Sequence, residues 1–244
     1  MFDHVMIRVA DRSASERFFA TVLAALGIDV TRRTDRVVVW HEFMLTEADE
    51  KHPATTGLHI GFVAPSRERV ADFWQAGIDA GHIDAGSPGP RPQYGEHYYA
   101  AALRDPSGNS VEAVHGGAPH RDGGVVEHLT LSVSDLAVAS AFYRRIADSV
   151  GITLLEERPE RTTFAAEGPG GSFSLVPGDP TANLHLAFPG SEDSVRRFHA
   201  DSVAAGYRSN GEPGERAQYH PGYYAAFVLD PDGNNIEVVD HRRS

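Results

Sequence analysis

Two short segments, DPSGNSVEAV (Asp105–Val114) and DPDGNNIEVV (Asp230–Val239), each place a glutamate inside an otherwise apolar strand. Side chains alternate across a strand. Glu112 therefore opposes Val111 and Ala113, and Glu237 opposes Ile236 and Val238. A carboxylate turned into a partly buried concavity is costly unless it is paired or holds a metal ion.

Histidines occupy the corresponding face of other strands. Leu58, Ile60 and Phe62 oppose His59 and Gly61, and Leu184, Leu186 and Phe188 oppose His185 and Ala187. In the opening strand Val5, Ile7 and Val9 share one face and leave His4, Met6 and Arg8 on the other. Its later twin sets Leu129, Leu131 and Val133 against His128, Thr130 and Ser132. Two neutral imidazoles and one carboxylate, with further positions open, form the donor set that holds Fe(II) and related divalent cations. Grouped by half, the expected ligand sets are His4, His59 and Glu112, then His128, His185 and Glu237. Solvated or hydrogen-bonded side chains would give the same pattern, and duplication copies either arrangement.

The elements that carry these residues occur twice. QYGEHYYAAALRDPSGNSVEAV (Gln93–Val114) and QYHPGYYAAFVLDPDGNNIEVV (Gln218–Val239) share QY, YYAA, DP, GN and E in register. The chain openings and the LHIGF and LHLAF segments repeat as well. The sequence predicts a first domain over 1–116, a Gly-rich linker over 117–124 and a second domain over 125–244. Each half reads as strand, helix and strands, twice over. The helices are expected at Asp11–Leu26, with a Ser13-x-x-Glu16 capping box, and at Ser66–Ala80, Asp135–Val150 and Glu192–Ala205. Tyr98–Leu103 and Ser110–His115 are expected to form a hairpin across the DPSG turn. Four βαβββ units give an α+β architecture, two cupped mixed sheets with helices on the outer face.

Composition narrows the function. The 244 residues, 41% hydrophobic and 23% charged, suit a globular protein of one or two domains. A formal charge of -12 opposes binding to nucleic acid, and no apolar run is long enough to span a bilayer. Without cysteine there is no disulfide or thiolate site. The opening MFDHVMIRVAD lacks a signal-peptide layout, so a cytoplasmic protein is expected. The expected partner is a small molecule, with the chain a monomer or a homodimer.

DHVMIRVADRSASERFF, LHIGF and DPSGNSVE, and their counterparts EHLTLSVSDLAVASAFY, LHLAF and DPDGNNIE, resemble the vicinal oxygen chelate superfamily. That superfamily includes glyoxalase I, extradiol dioxygenases, fosfomycin-resistance transferases and bleomycin-resistance proteins. The resemblance implies a cup around a divalent metal (Fe2+, Mn2+, Zn2+ or Ni2+) held by the six residues named above. The chain also departs from individual members. Glyoxalase I adds a glutamate ligand on the fourth strand, where this chain has Phe43-Met44-Leu45 and Phe173-Ser174-Leu175, with Glu42 out of register. Glyoxalase I activity is therefore disfavoured. Ala102 and Phe227 stand where extradiol dioxygenases usually carry a tyrosine. A phosphonate would want clustered cations, and Arg104 is matched by Leu229.

The resemblance implies an enzyme of lyase, isomerase or dioxygenase type on a metabolite chelated through vicinal oxygens. The alternative is a metal-free protein that sequesters a drug or other small molecule. Candidate catalytic groups are Tyr98, Tyr99, Tyr223 and Tyr224, since a tyrosine can orient substrate or move a proton. Candidate substrate contacts are Arg8, Trp40, Tyr94 and Tyr219.

Overall fold

The computed structural model of the chain describes residues 1–117, 124–166 and 171–242. Of the expected linker, residues 118–123 lie outside the described residues.

Four βαβββ units follow one another. The first has β1 (His4–Val9), α1 (Arg12–Ala25), β2 (Arg32–Arg33), β3 (Val37–Trp40) and β4 (Phe43–Glu47). The second has β5 (Leu58–Val63), α2 (Arg67–Asp79), β6 (Ile83–Pro90), β7 (Tyr99–Arg104) and β8 (Ser110–His115). The third has β9 (Val126–Val133), α3 (Leu136–Val150), β10 (Ile152–Arg158), β11 (Arg161–Ala166) and β12 (Ser172–Pro177). The fourth has β13 (His185–Pro189), α4 (Glu192–Ala204), β14 (Ser209–Glu215), β15 (Tyr224–Leu229) and β16 (Asn235–Asp240).

Each helix starts where a short polar side chain accepts a backbone N–H that the helix itself cannot use. Asp11, Ser66, Asp135 and Ser191 accept from Ala14, Arg69, Val138 and Ser194 respectively. This corrects the capping box expected at Ser13. Asp11 is the cap, Ser13 lies inside the helix with its hydroxyl accepting from Arg17, and Glu16 pairs with Arg33.

The strands assemble in a way that the repeat does not suggest. One eight-stranded sheet runs β14-β15-β16-β13-β1-β4-β3-β2, and the other β10-β11-β12-β9-β5-β8-β7-β6. The first sheet joins the first and fourth units, and the second joins the second and third. The expectation of one cup per half is corrected accordingly, because β1 pairs with β13 and β5 pairs with β9. Both joints are antiparallel and connect the two sequence halves.

The apolar strand faces go where alternation puts them. Val5, Ile7, Val9, Leu129, Leu131 and Val133 are at most 1% exposed and pack with the helices in one core. Edge strands β6 and β14 had no strand signature. Their sequences, IDAGSPGP and SNGEPGE, read as turns, and they pair only with shifts in register. Proline is tolerated there because an edge strand has a side with no ladder to donate to.

The candidate metal centres

The DPxGN segments set the register of the site. Asp105 Oδ1 accepts from the backbone of Ser107 and Asn109, and Gly108 takes φ 86° to close the turn. Asn109 then reaches across to β5, accepting from Leu58 N at 3.1 Å and donating to Thr55 O at 3.1 Å. Asp230 and Asn234 repeat this, with Asn234 accepting from Leu184 N at 3.0 Å. Each asparagine thus ties a glutamate-bearing strand to a histidine-bearing one, so that Gly61 pairs with Glu112 and Ala187 with Glu237.

Two clusters result. His4, His185 and Glu237 form one, and His59, His128 and Glu112 the other, each with its ligand-type atoms within 4.8 Å of one another. All six residues read from the sequence meet, but His4 joins the glutamate of the second half, and His128 joins the glutamate of the first. The grouping by half is corrected, for the reason already visible in the sheet order.

In the first cluster Nε2 of His4 lies 3.0 Å from Nε2 of His185, which lies 2.9 Å from Glu237 Oε2. In the second, Nε2 of His59 and His128 are 2.9 Å apart, and each is 3.5 Å from Glu112 Oε2. The outer nitrogens are all engaged. His4 Nδ1 donates to Asp3 Oδ1 at 2.9 Å, and His128 Nδ1 donates to Glu127. With Nδ1 protonated in this way, Nε2 of His4 and His128 presents its lone pair to the cluster. His59 Nδ1 lies 2.9 Å from Ser110 Oγ, and His185 Nδ1 lies 2.5 Å from the Asn235 amide.

Backbone irregularity makes the carboxylate contact available. Gly61 pairs with His128 and Phe62 with Val126, so Glu127 is an extra residue bulged out of β9. A bulge re-aims a side chain that strict alternation would send to the opposite face. Asp3 stands in the equivalent place ahead of His4. The signal was legible as an acidic residue before each of these histidines, but alternation argued against it.

Each glutamate also accepts from a tyrosine. Tyr98 OH donates to Glu112 Oε2 at 3.1 Å, and Tyr223 OH donates to Glu237 Oε1 at 2.6 Å. Burial and the adjacent carboxylate push both phenols far above their ordinary pKa, so they remain protonated hydrogen-bond donors. Burial would raise the glutamates, but their histidine partners outweigh it and hold both below the usual carboxylate range. Burial also holds His59 and His185 below the ordinary imidazole value, which keeps them neutral. At His128 burial is outweighed by the hydrogen bond and charge of Glu127, and the value rises. Two imidazole nitrogens and an ionised carboxylate brought together in each cluster, with the outer nitrogens already held, are a donor set that fits a divalent cation.

The remaining candidates separate. Tyr99 packs under Arg67, and Tyr224 under Arg196 and Arg242, away from the clusters. Trp40 is fully buried against Phe19 and Phe43 and fills core, so its expected role as a substrate contact is corrected. Tyr94 lines the cavity beside His59 and packs on Tyr98, as Tyr219 packs on Tyr223. Arg8 lies on the His4 side of β1, where partial burial lowers its pKa. Glu42 is turned away and accepts from the backbone of Val125 and Val126, while Met44 and Ser174 pair with Met6 and Thr130 beside the clusters. A chain of contacts missed in the sequence runs outward from His4, through Asp3 and His241 to His220.

Comparison with known proteins places this arrangement. Glyoxalase I from Zea mays superposes with a TM-score of 0.70 at 19% identity, covering 98% of this chain and 92% of that one. A candidate dioxygenase from Bacillus subtilis subsp. subtilis str. 168 gives a TM-score of 0.65 at 12% identity, over 100% and 86% of the two chains. No curated protein matches the sequence. The sequence pattern of the Glyoxalase/Bleomycin resistance protein/Dioxygenase superfamily matches residues 1–113 and again 125–238. With both repeats matched and the fold shared, the chain belongs to that superfamily.

Proposed function

We propose that the chain is a divalent-metal-dependent enzyme acting on a small oxygenated metabolite held through vicinal oxygens. One observation carries this reading. In each cluster two imidazole nitrogens and one carboxylate oxygen converge within 4.8 Å of one another. His4, His185 and Glu237 would hold one ion, and His59, His128 and Glu112 the other. A bound divalent ion supplies Lewis acidity, which favours an enolate or oxyanion on a chelated substrate.

The chain's own residues do the rest. Asp3 and Glu127 fix the tautomer and tilt of His4 and His128. Tyr98 and Tyr223 orient the carboxylates and, being protonated, do not serve as bases. Around His59 a cavity of about 680 Å³ is lined by Thr130, Thr163 and Ser174, whose hydroxyls can orient substrate oxygens. That polar lining supports an oxygen-rich ligand over the sequestered aromatic drug of the alternative reading. Met44 and Ser174 at the fourth-strand position favour chemistry other than that of glyoxalase I.

The test is elemental analysis of protein purified without chelator, then titration with Fe(II), Mn(II), Zn(II) and Ni(II). About two equivalents per chain are expected, one per cluster. Failure to bind any of these ions overturns the reading. Turnover assays on vicinal diols and hydroxy-ketones would then identify the reaction.

A further inference from the structure

The two cups are built from equivalent strands but have different walls. Around His59 and His128, the paired positions on β9, β12 and β11 hold Thr130, Ser174 and Thr163. Around His4 and His185, the same positions on β1, β4 and β3 hold Met6, Met44 and Val39. Opposite the glutamates stand Ala102 in the former and Phe227 in the latter, the Phe227 ring lying 6.2 Å from His185. Two residues before Thr163 on the same strand face is Arg161. Two residues before Val39 is Val37.

Arg161 lines the cavity together with His59, Glu112 and His128. The other charged groups lining that cavity have partners. Glu112 is held by Tyr98, Glu127 by His128, and Glu156 pairs with Arg158 at 2.5 Å. Among the described residues the Arg161 side chain makes no hydrogen bond or ion pair, although its charge is felt at both His59 and His128. Its partner across the β10–β11 ladder is a second guanidinium, Arg158. Like charges directly opposed on adjacent strands are unfavourable, and an anion beside them would relieve that cost. One unpaired positive charge calls for one negative charge, and the planar fork of arginine matches a carboxylate.

We propose that the His59–His128–Glu112 cup takes a substrate that bears a carboxylate in addition to its vicinal oxygens, and that Arg161 holds this carboxylate. Arg161 is then a specificity-determining residue of this cup, at a position that Val37 occupies around His4. The vicinal-oxygen half of the statement rests on the metal reading above, while the carboxylate half rests on Arg161 alone.

The experiment separates the two. Binding of 3,4-dihydroxybenzoate and of its neutral isostere 3,4-dihydroxybenzamide is measured calorimetrically on Mn(II)-loaded protein, and repeated on chelator-treated protein. Mn(II) stoichiometry is recorded independently. The wild type is expected to favour the carboxylate at least tenfold, about 1.4 kcal/mol. Arg161→Gln should abolish the preference with Mn(II) binding unchanged, and Arg161→Lys should restore part of it. The proposal is overturned if the wild type shows no preference, or if Arg161→Gln keeps it. Absence of Mn(II) binding would remove the metal reading, and the chelator-treated series would still decide for or against Arg161 by the same comparison.

Discussion

Gly61 and His128 face each other across β5 and β9 so closely that a β-carbon on Gly61 would lie 2.4 Å from Cε1 and 2.5 Å from Nδ1 of the imidazole. The missing side chain is the space in which the ring sits. At the corresponding joint His4 pairs with Ala187, which does carry a β-carbon. Gly61→Ala should therefore displace His128 and weaken metal binding at that cup by about tenfold or more, as loss of ligand orientation commonly does. The cup around His4 should be untouched, so calorimetric stoichiometry would fall from about two towards one. Two full-affinity sites in Gly61→Ala would show that the ring can move aside at no cost.

The assignment of histidines to glutamates can be read from double variants. His4→Ala with Glu237→Ala removes two ligands from one cluster and should leave one ion per chain. His4→Ala with Glu112→Ala removes one ligand from each and should leave none bound tightly. Grouping by sequence half predicts the reverse, because His4 and Glu112 would then belong together. Metal content after gel filtration distinguishes the two outcomes.

That reversal marks the limit of what the sequence could disclose. Alternation in single strands correctly set His4, His59, Glu112, His128, His185 and Glu237 apart from the core faces, since it depends only on each strand's own pleat. The partner of each strand is a different matter. LHIGF and LHLAF are near copies, so nothing local tells β1 whether to pair with β5 or with β13, and only the closure of both sheets decides. Glu127 escaped notice because a bulge suspends alternation at that residue. Trp40 was ambiguous because an aromatic on a short strand fits a core or a pocket equally well, and the choice depends on Phe19 of α1 packing over it.

Tyr98 and Tyr223 touch the clusters only through the glutamates, so they act as positioning residues. Tyr223→Phe removes a 2.6 Å bond to a carboxylate that is 1% exposed, leaving that oxygen unsatisfied. The expected cost is roughly 1–3 kcal/mol in stability of the metal-free protein, with metal affinity at that cup down about tenfold. Tyr98→Phe should cost less, since its bond is 3.1 Å and Glu112 is 8% exposed, closer to water. Equal losses from the two variants would contradict this ordering.

Asp230 supplies a dependence on pH that is independent of the metal ligands. Its carboxyl is buried in the second DPxGN turn, which pushes its pKa up from 3.8 to about 6, with Asp232 adding to the rise and Asn234 and Tyr143 opposing it. A carboxyl whose folded pKa exceeds its unfolded value contributes stability that is fully present below the unfolded value. That stability is lost as pH climbs through the folded value. Between about pH 4 and pH 7 the wild type should lose on the order of 2–3 kcal/mol from this group. Asp230→Asn removes the titrating group, and its amide nitrogen, in the place of Oδ2, no longer accepts from Asn234 Nδ2, a cost that does not vary with pH. Its Oδ1 can still accept from the backbone of Asp232 and Asn234, and Tyr143 can turn its hydroxyl to accept from the new amide. The difference in unfolding free energy between variant and wild type should therefore move in the variant's favour as pH rises from 4.5 to 7.5. Histidine protonation affects both proteins alike and cancels in that difference. Denaturation curves that stay a constant distance apart across this range would mean that Asp230 is not held protonated by its burial.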